Sequence, residues 1–302
     1  MKSNSMSVNT NRKQFSLSDL SSKTVDEHLK NINEIGFTIL RKTTPLDLCD
    51  RVISSYQDYL SQDPGYSNQN INPKTGLHKR LINFHLTSNA AFNIFDKNQF
   101  LLEIIDSFWS KRETCVYTSL YFEEGTQQPI HRDAPLFCTF PENLFLGVWF
   151  ALEDANTSNG ALNVVPYGHH LSHDEYSVRK KIAESLNVWD KDVPFIHNEL
   201  WLKYQDWVSK DIHSKDLEVH RIDVNKGDIV IWHPMLPHGG SYIDSPGLTR
   251  HSIVMHVTPL NVQVHGSYLF FNMQRLFEPR SMSYVTHEDC CRKMMESAVS
   301  FQ

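Results

Sequence analysis

Short segments rich in β-branched and aromatic residues, separated by turn residues, dominate the chain after Thr114. Six of them have the length and composition of a strand: 115–123, 145–152, 161–165, 219–224, 228–232 and 251–258. Asn159-Gly160 is a hairpin turn signal ahead of the third segment. Many short strands with turns between them predict one antiparallel sandwich or barrel.

The residues before this β region follow helical periodicity. Thr24 and Glu27 form a capping box for a helix over 24–35, whose apolar residues recur at intervals of three and four. Further helices are predicted over 45–60, with Pro45 in the first turn, and over 97–109, and a strand over 37–41. We therefore predict a flexible leader over 1–16 and a single domain over 17–302. Its parts are a helical support (17–113), a β core (114–260) and a C-terminal extension (261–302).

An insertion over 174–215 interrupts the predicted strands. It contains a predicted helix over 176–185 and a polar stretch with three tryptophans. Because long segments inside a β-domain commonly serve as lids or binding loops, we expect it to cover a substrate site. An oligomer contact is the alternative, since aromatic residues also mark interfaces.

The net charge and the cysteine pattern argue against several classes of protein. Lys and Arg total 29 against 35 Asp and Glu, which gives a net charge of −6, whereas nucleic-acid binders need a basic surface. The five cysteines are odd in number and include no CxxC, which is typical of reduced thiols in a cytoplasmic protein. No apolar run is long enough to span a membrane. We expect a cytoplasmic monomer or homodimer that acts on a small molecule, without nucleic-acid or membrane partners.

Two segments carry residues suited to metal chemistry. His131 and Asp133 are two residues apart in QPIHRD, so on a strand both side chains would point to one face. This pattern alone is weak, and a surface His–Asp pair is the alternative. His238 follows the apolar segment GDIVIW and could complete a set of two histidines and one carboxylate, the ligands of non-haem Fe(II) oxygenases. His233 competes with His238, but no Gly-rich turn follows it directly. Arg250 could grip the distal carboxylate of 2-oxoglutarate with two parallel bonds.

Three ordered blocks resemble the phytanoyl-CoA dioxygenase family of Fe(II)/2-oxoglutarate oxygenases. They are PIHRDAPLF at 129–137, WFALEDANTSNGALNVVPYGHH at 149–170 and GDIVIWHPMLPHGGS at 227–241, and the resemblance covers roughly 114–259. It implies a mainly β protein with N-terminal helices, folded as a double-stranded β-helix (jelly roll) with iron at one end.

The resemblance also assigns roles to residues. His131, Asp133 and His238 match the iron ligands, and Arg250 matches the arginine that binds 2-oxoglutarate. Further co-substrate candidates are Ser252, Trp149, Glu153, Ser241 and Lys79 or Arg80. Candidate substrate contacts, chosen because tyrosine and tryptophan combine an apolar face with a polar group, are Tyr117, Tyr121, Phe137, Trp201 and Trp207.

The implied activity is hydroxylation, or another oxidation, of an unactivated C–H bond in a small-molecule metabolite. Such an enzyme would use Fe(II), 2-oxoglutarate and O2, with ascorbate added in vitro, and release succinate and CO2. Asp133 stands where halogenating relatives have Gly or Ala, which favours hydroxylation over halogenation. Two alternatives remain: a catalytically inactive jelly-roll protein that binds a metal or ligand, and a zinc or nickel cupin-like isomerase or hydrolase.

Overall fold

The computed structural model describes residues 20, 23–63, 65, 70–171, 175–185, 198–265, 267–271 and 281–296. The predicted leader over 1–16 lies outside the described residues. So do residues 174 and 186–197 of the insertion, and residues 266, 272–280 and 297–302 of the C-terminal extension.

Helices and strands occur in the predicted order, with additions. The helices are α1 (Val25–Glu34), α2 (Leu46–Gln62), α3 (Phe84–Thr87), α4 (Asn89–Asp96), α5 (Gln99–Phe108), α6 (Glu175–Ser185), α7 (Asn198–Ser214) and α8 (Ser267–Phe271). The strands are β1 (Phe37–Leu40), β2 (Leu81–Ile82), β3 (Thr114–Phe122), β4 (Thr139–Phe140), β5 (Leu146–Ala151), β6 (Leu162–Val164), β7 (His220–Ile222), β8 (Ile229–Trp232), β9 (His238–Gly240), β10 (Ser252–Pro259), β11 (Gln263–Val264), β12 (Tyr284–Val285) and β13 (Met294–Met295). The capping box of α1 is present, whereas α3, α4, α7 and α8 were not predicted.

An eight-stranded major sheet forms one layer of the fold. Its order is β1-β8-β5-β10-β3-β13-β12, with β2 paired to β3. The pairs are antiparallel except β13 with β3, which is parallel. The predicted helical support therefore contributes β1 and β2 to the sheet, and the C-terminal extension contributes β12 and β13.

A three-stranded minor sheet, ordered β7-β6-β9, forms the second layer. The hairpin predicted at Asn159-Gly160 is wrong, because β6 pairs with β7 and β9 and not with β5. The Asn159 amide instead donates to the carbonyl oxygens of Asp154 and Thr249, at 2.8 and 3.0 Å. Gly160 adopts a φ of +96°, in the left-handed region. The segment thus turns the chain from the major sheet to the minor sheet.

Successive side chains of the strands point alternately to two apolar clusters, one on each face of the major sheet. Residues Leu146, Val148 and Phe150 of β5 belong to the cluster that contains the buried side chains of α1, α2, α4 and α5. Trp149, on the opposite face, packs in a cluster with side chains from β6 and β7. Since successive strand residues point to opposite faces, the major sheet is covered by helices on one face and by the minor sheet on the other. This arrangement is the predicted double-stranded β-helix.

The described part of the insertion supplies α6 and α7 to a third apolar cluster. The polar stretch after the predicted helix contains α7, whose buried residues recur at four-residue spacing: Leu200, Tyr204, Val208 and Ile212. This helix was missed because its charged residues obscure one narrow apolar stripe. None of the helices in the described part of the chain is long and apolar enough to cross a membrane.

Candidate metal and co-substrate site

Backbone pairing brings the two candidate histidine ligands together. His131 and His238 form an isolated antiparallel bridge, with N···O distances of 2.8 and 2.9 Å. The predicted strand through His131 and Asp133 is wrong in detail, because a turn begins at Asp133, whose carbonyl oxygen accepts from Leu136 and Phe137. The three side chains nevertheless converge between the two sheets.

The donor set fits a divalent metal. His131, Asp133 and His238 each offer one ligand atom, and these atoms lie within 4.8 Å of one another. Nε2 of His131 lies 3.5 Å from Oδ1 of Asp133, and Nε2 of His238 lies 3.5 Å from Oδ2. Nδ1 of His131 lies 2.9 Å from the Pro129 oxygen, and Nδ1 of His238 lies 3.0 Å from the Leu236 oxygen. Protonation at Nδ1 would leave both Nε2 atoms free to bind a metal.

Contacts from β8 and β10 hold the Asp133 carboxylate. Nε1 of Trp232 donates to Oδ2 at 3.0 Å, and Nε2 of His256 lies 3.1 Å from the same oxygen. Burial raises the pKa of Asp133, but the charges and hydrogen bonds of His238, His131 and His256 outweigh it and hold the pKa well below its usual range. Burial also lowers the pKa of His238 to about 4. Near neutral pH the pocket therefore offers an ionised carboxylate and a neutral His238 ring, the protonation states that metal binding requires.

Glycine at position 147 makes room for the indole of Trp232. A Cβ there would lie 2.2 Å from the Trp232 ring, which no packed structure tolerates. Gly147 pairs with Trp232 across β5 and β8. Neither Gly147 nor Trp232 was predicted from sequence, because the contact of the indole with Asp133 arises only when the strands pair.

Arg250 provides a buried cation in the same cavity. It is 4% exposed and donates to the carbonyl oxygens of Gly160 at 3.2 Å and Glu124 at 3.5 Å, while its Nε has no partner. Among the described residues no carboxylate pairs with it. Burial lowers its pKa to about 10. Ser252, the first residue of β10, also has a buried Oγ without a partner in the described structure, but it is not among the residues that line the cavity. A buried guanidinium that lines the cavity and has no anionic partner among the described residues is suited to bind a carboxylate.

A cavity of about 200 Å³ joins the candidate metal ligands to Arg250. The sequence-predicted Phe137 and Trp149 line it, and the Phe137 ring stacks on His256 at 3.6 Å between centroids. A second cavity of about 750 Å³ shares four lining residues with the first: Arg80, Phe122, Thr126 and Gln128. Gln128, which the sequence analysis did not single out, lies 3.2 Å through its Nε2 from Nε2 of His131.

The structure places several predicted co-substrate residues beside the first cavity and not on its lining. Glu153 accepts from the Thr249 hydroxyl and from the backbone N–H of His251. Ser241 donates to the Tyr242 carbonyl oxygen. Lys79 lines only the second cavity, whereas Arg80 lines both. His233 bonds with its backbone and ring to neighbouring loops and does not belong to the ligand cluster.

The predicted substrate-contact residues also differ in whether they lie at the first cavity or away from it. Tyr121 faces the helices, where its ring stacks on Tyr56 and its hydroxyl lies 2.7 Å from Nδ1 of His251. Tyr117 is buried beside Phe137, whose carbonyl oxygen accepts from the Tyr117 hydroxyl. Trp207 is partly buried and packs on Tyr204 at the edge of the third apolar cluster.

Trp201 lies next to the ligands. Its ring centroid is 6.0 Å from that of His131. The described part of the insertion therefore approaches the candidate metal site through α7.

Sequence comparison identifies the family. The family model described as Phytanoyl-CoA dioxygenase (PhyH) matches residues 32–252, which contain β1, the three metal-ligand candidates and Arg250. The chain belongs to the phytanoyl-CoA dioxygenase family. The peroxisomal phytanoyl-CoA dioxygenase of Homo sapiens is 28% identical over 156 residues, which cover 50% of this chain and 41% of the human protein. Phytanoyl-CoA dioxygenase 1 of Oryza sativa subsp. japonica is 26% identical over 172 residues, which cover 56% of this chain and 53% of the rice protein. The matches span about half the length of these relatives or less.

Solved structures share the fold. EctD from S. alaskensis, solved with 2-oxoglutarate and 5-hydroxyectoine, has a TM-score of 0.56 at 14% identity and covers 84% of this chain and 82% of its own. The epimerase SnoN from nogalamycin biosynthesis, solved with Fe3+, alpha ketoglutarate and nogalamycin RO, has a TM-score of 0.56 at 12% identity. That match covers 90% of this chain and 98% of SnoN. At these identities the likeness establishes the jelly-roll fold of this family member.

Proposed function

We propose that this phytanoyl-CoA dioxygenase family member is an Fe(II)/2-oxoglutarate-dependent dioxygenase. It would oxidise an unactivated C–H bond of a small-molecule metabolite and convert 2-oxoglutarate and O2 to succinate and CO2. One observation carries the proposal: a cavity that is lined both by a His-Asp-His donor set and by a buried arginine that has no anionic partner in the part of the chain that the structure describes. A zinc hydrolase or cupin-like isomerase would have no use for that arginine.

The residues would divide the work as follows. Nε2 of His131, Nε2 of His238 and Oδ1 of Asp133 would hold Fe(II), while Trp232 and His256 keep the other carboxylate oxygen in place. Bound iron would supply the redox chemistry that links O2 reduction to decarboxylation of the keto-acid and oxidation of the substrate.

Arg250 and Ser252 would bind the distal carboxylate of 2-oxoglutarate. The Arg250 guanidinium lies 5.3 Å from the Trp149 ring centroid and 5.9 Å from that of Phe122, so aromatic walls fix its plane. These walls also exclude water, which strengthens a charge-assisted pair.

The second cavity is our candidate site for the substrate to be oxidised. It adjoins the first through Arg80, Phe122, Thr126 and Gln128, and Tyr242 and Leu248 give it an apolar rim. A small, partly polar molecule bound there would have its reactive carbon directed toward the metal ligands.

A substrate screen scored by succinate tests the proposal. Purified protein with Fe(II), ascorbate, O2 and 2-oxoglutarate should form succinate that increases with one class of metabolite, and Asp133→Ala should abolish it. Metal analysis of the protein as purified separates this enzyme from a zinc or nickel protein. Failure of every compound to stimulate succinate above the Asp133→Ala background, with iron bound, would favour the inactive binding protein.

A further inference from the structure

A side chain from the insertion grips the backbone between two candidate ligands. The Gln205 Oε1, on α7, accepts from the backbone N–H of Arg132 at 2.9 Å, and its Nε2 donates to the Arg132 carbonyl oxygen at 3.0 Å. Only one orientation of the amide satisfies both bonds, since an N–H needs an acceptor and a carbonyl needs a donor. Arg132 lies between His131 and Asp133, so one glutamine fixes the peptide from which both side chains project.

The Arg132 side chain also contacts other residues of the insertion. It is 0% exposed, and its guanidinium donates to the carbonyl oxygens of Gly168 and Leu171 at 2.8 and 3.2 Å and to the Tyr204 hydroxyl at 3.1 Å. Glu175, the first residue of α6, lies 3.5 Å from the guanidinium and accepts from the Tyr204 hydroxyl. The structure shows that α6 and α7 both converge on the residue between two candidate ligands.

Because Gln205 and Arg132 are buried, water cannot replace the two hydrogen bonds between them. Gln205 is 7% exposed, and water does not reach the Arg132 backbone to take over its two bonds. Unpaired buried amide groups carry their full desolvation cost. The other side of the ligand segment is held by the His131–His238 bridge. The segment thus has two anchors, of which one belongs to the minor sheet and the other to the insertion.

We infer that Gln205 is a positioning residue that sets the spacing of His131 and Asp133 and thereby the metal affinity of the site. This inference rests on the proposed metal site. It makes α7 part of the metal centre, in addition to any role in covering the substrate. Partners that orient metal ligands typically change metal affinity by roughly 10–100-fold when they are removed.

The test compares Co(II) binding by wild type, Gln205→Leu and Val208→Ala, followed by titration calorimetry and by the visible spectrum of the bound ion. Gln205→Leu should bind Co(II) at least ~10-fold more weakly, with an altered spectrum, because the ligand spacing changes. Val208, buried on the same helix, is the matched control. Val208→Ala should lower Tm but leave affinity and spectrum as in wild type.

The outcomes are distinguishable. Wild type that binds no Co(II) would contradict the proposed metal site itself. Wild type that binds, with Gln205→Leu unchanged or Val208→Ala equally impaired, would overturn the positioning role alone. If Gln205→Leu does not fold, Gln205→Glu serves: it keeps the acceptor for the Arg132 N–H and loses the donor to its carbonyl. It should also weaken Co(II) binding, and wild-type affinity in that variant would refute the inference.

Discussion

Replacing Arg250 by Met would remove the positive charge of the co-substrate pocket and keep most of the side-chain volume. In the structure this guanidinium donates two long hydrogen bonds, to the backbone carbonyl oxygens of Gly160 and Glu124. Its pKa of about 10, against 12.5 for a free guanidinium, means that burial costs the cation ~3 kcal/mol, since one pKa unit is about 1.4 kcal/mol. An arriving carboxylate would offset that cost.

Loss of a desolvated, charge-assisted pair costs about 2–5 kcal/mol. Arg250→Met should therefore bind 2-oxoglutarate at least ~30-fold more weakly than wild type. Because the cation that it removes pairs with no carboxylate of the described residues, Tm of the protein without ligands should stay close to that of wild type. Calorimetric titration of the metal-loaded protein with 2-oxoglutarate, together with thermal unfolding, measures both quantities.

Arg179 offers a matched control. It is equally buried, but it pairs with Glu142 at 2.9 Å and donates to the Phe270 carbonyl oxygen, away from the cavity. Arg179→Met should lower Tm by about 10 °C, because it strands a partly buried carboxylate, and should leave 2-oxoglutarate affinity unchanged. Wild-type affinity in Arg250→Met would refute the assignment and make Arg80, which lines both cavities, the next candidate.

Three further perturbations test other parts of the structure. Gly147→Ala should displace the Trp232 indole from the ligand carboxylate and weaken metal binding roughly 10-fold or more, as titration calorimetry would show, and unchanged affinity would contradict the packing argument. Trp201→Ala should lower substrate turnover and raise succinate formed without substrate oxidation, at an unchanged sedimentation coefficient; an altered oligomeric state with normal coupling would identify an interface instead. Burial lowers the pKa of His85 from 6.5 to about 3. Between these pH values the imidazole is therefore protonated in the unfolded chain and neutral in the folded protein. The contribution of His85 to stability is complete above pH 6.5 and decreases toward pH 3 by up to ~1.4 kcal/mol per pH unit. Urea titrations at several pH values measure how the free energy of unfolding depends on pH. This dependence should be shallower than that of wild type in His85→Gln, and the same as that of wild type in the exposed variant His213→Gln.

The metal-ligand candidates and Arg250 could be selected from sequence because their chemistry is local. The sequence alone shows a histidine and a carboxylate two residues apart, a histidine after an apolar segment, and an arginine twelve residues beyond that histidine. Their convergence was predicted from a strand that is in fact a bridge and a turn. The prediction nevertheless selected the three residues that the structure brings together.

The residues that orient these candidates could not be selected from sequence. Trp232 and His256 touch Asp133 only because β8 and β10 flank β5 in one sheet, and Gln205 reaches Arg132 across 73 positions of sequence. Such contacts depend on tertiary pairing, which no local pattern records.

Strand register accounts for a further error. Tyr121 was expected at the site, but the side chains of Leu120 and Phe122 line the cavity, so Tyr121 must face the helices. A single-residue difference in register exchanges the two faces of a strand. In contrast, α7 did leave a signal, since its buried residues repeat every four positions from Leu200 to Ile212.

Anaerobic titration of the metal-free protein with Fe(II) tests the central claim most directly. Wild type should bind one Fe(II) per chain, and Asp133→Ala should show no saturable binding, with the fold of both proteins checked by circular dichroism. The variant loses a ligand and the charge that partly neutralises the ion. Wild-type affinity in Asp133→Ala, or no Fe(II) binding by folded wild type, would contradict the assignment of His131, Asp133 and His238 as the metal site.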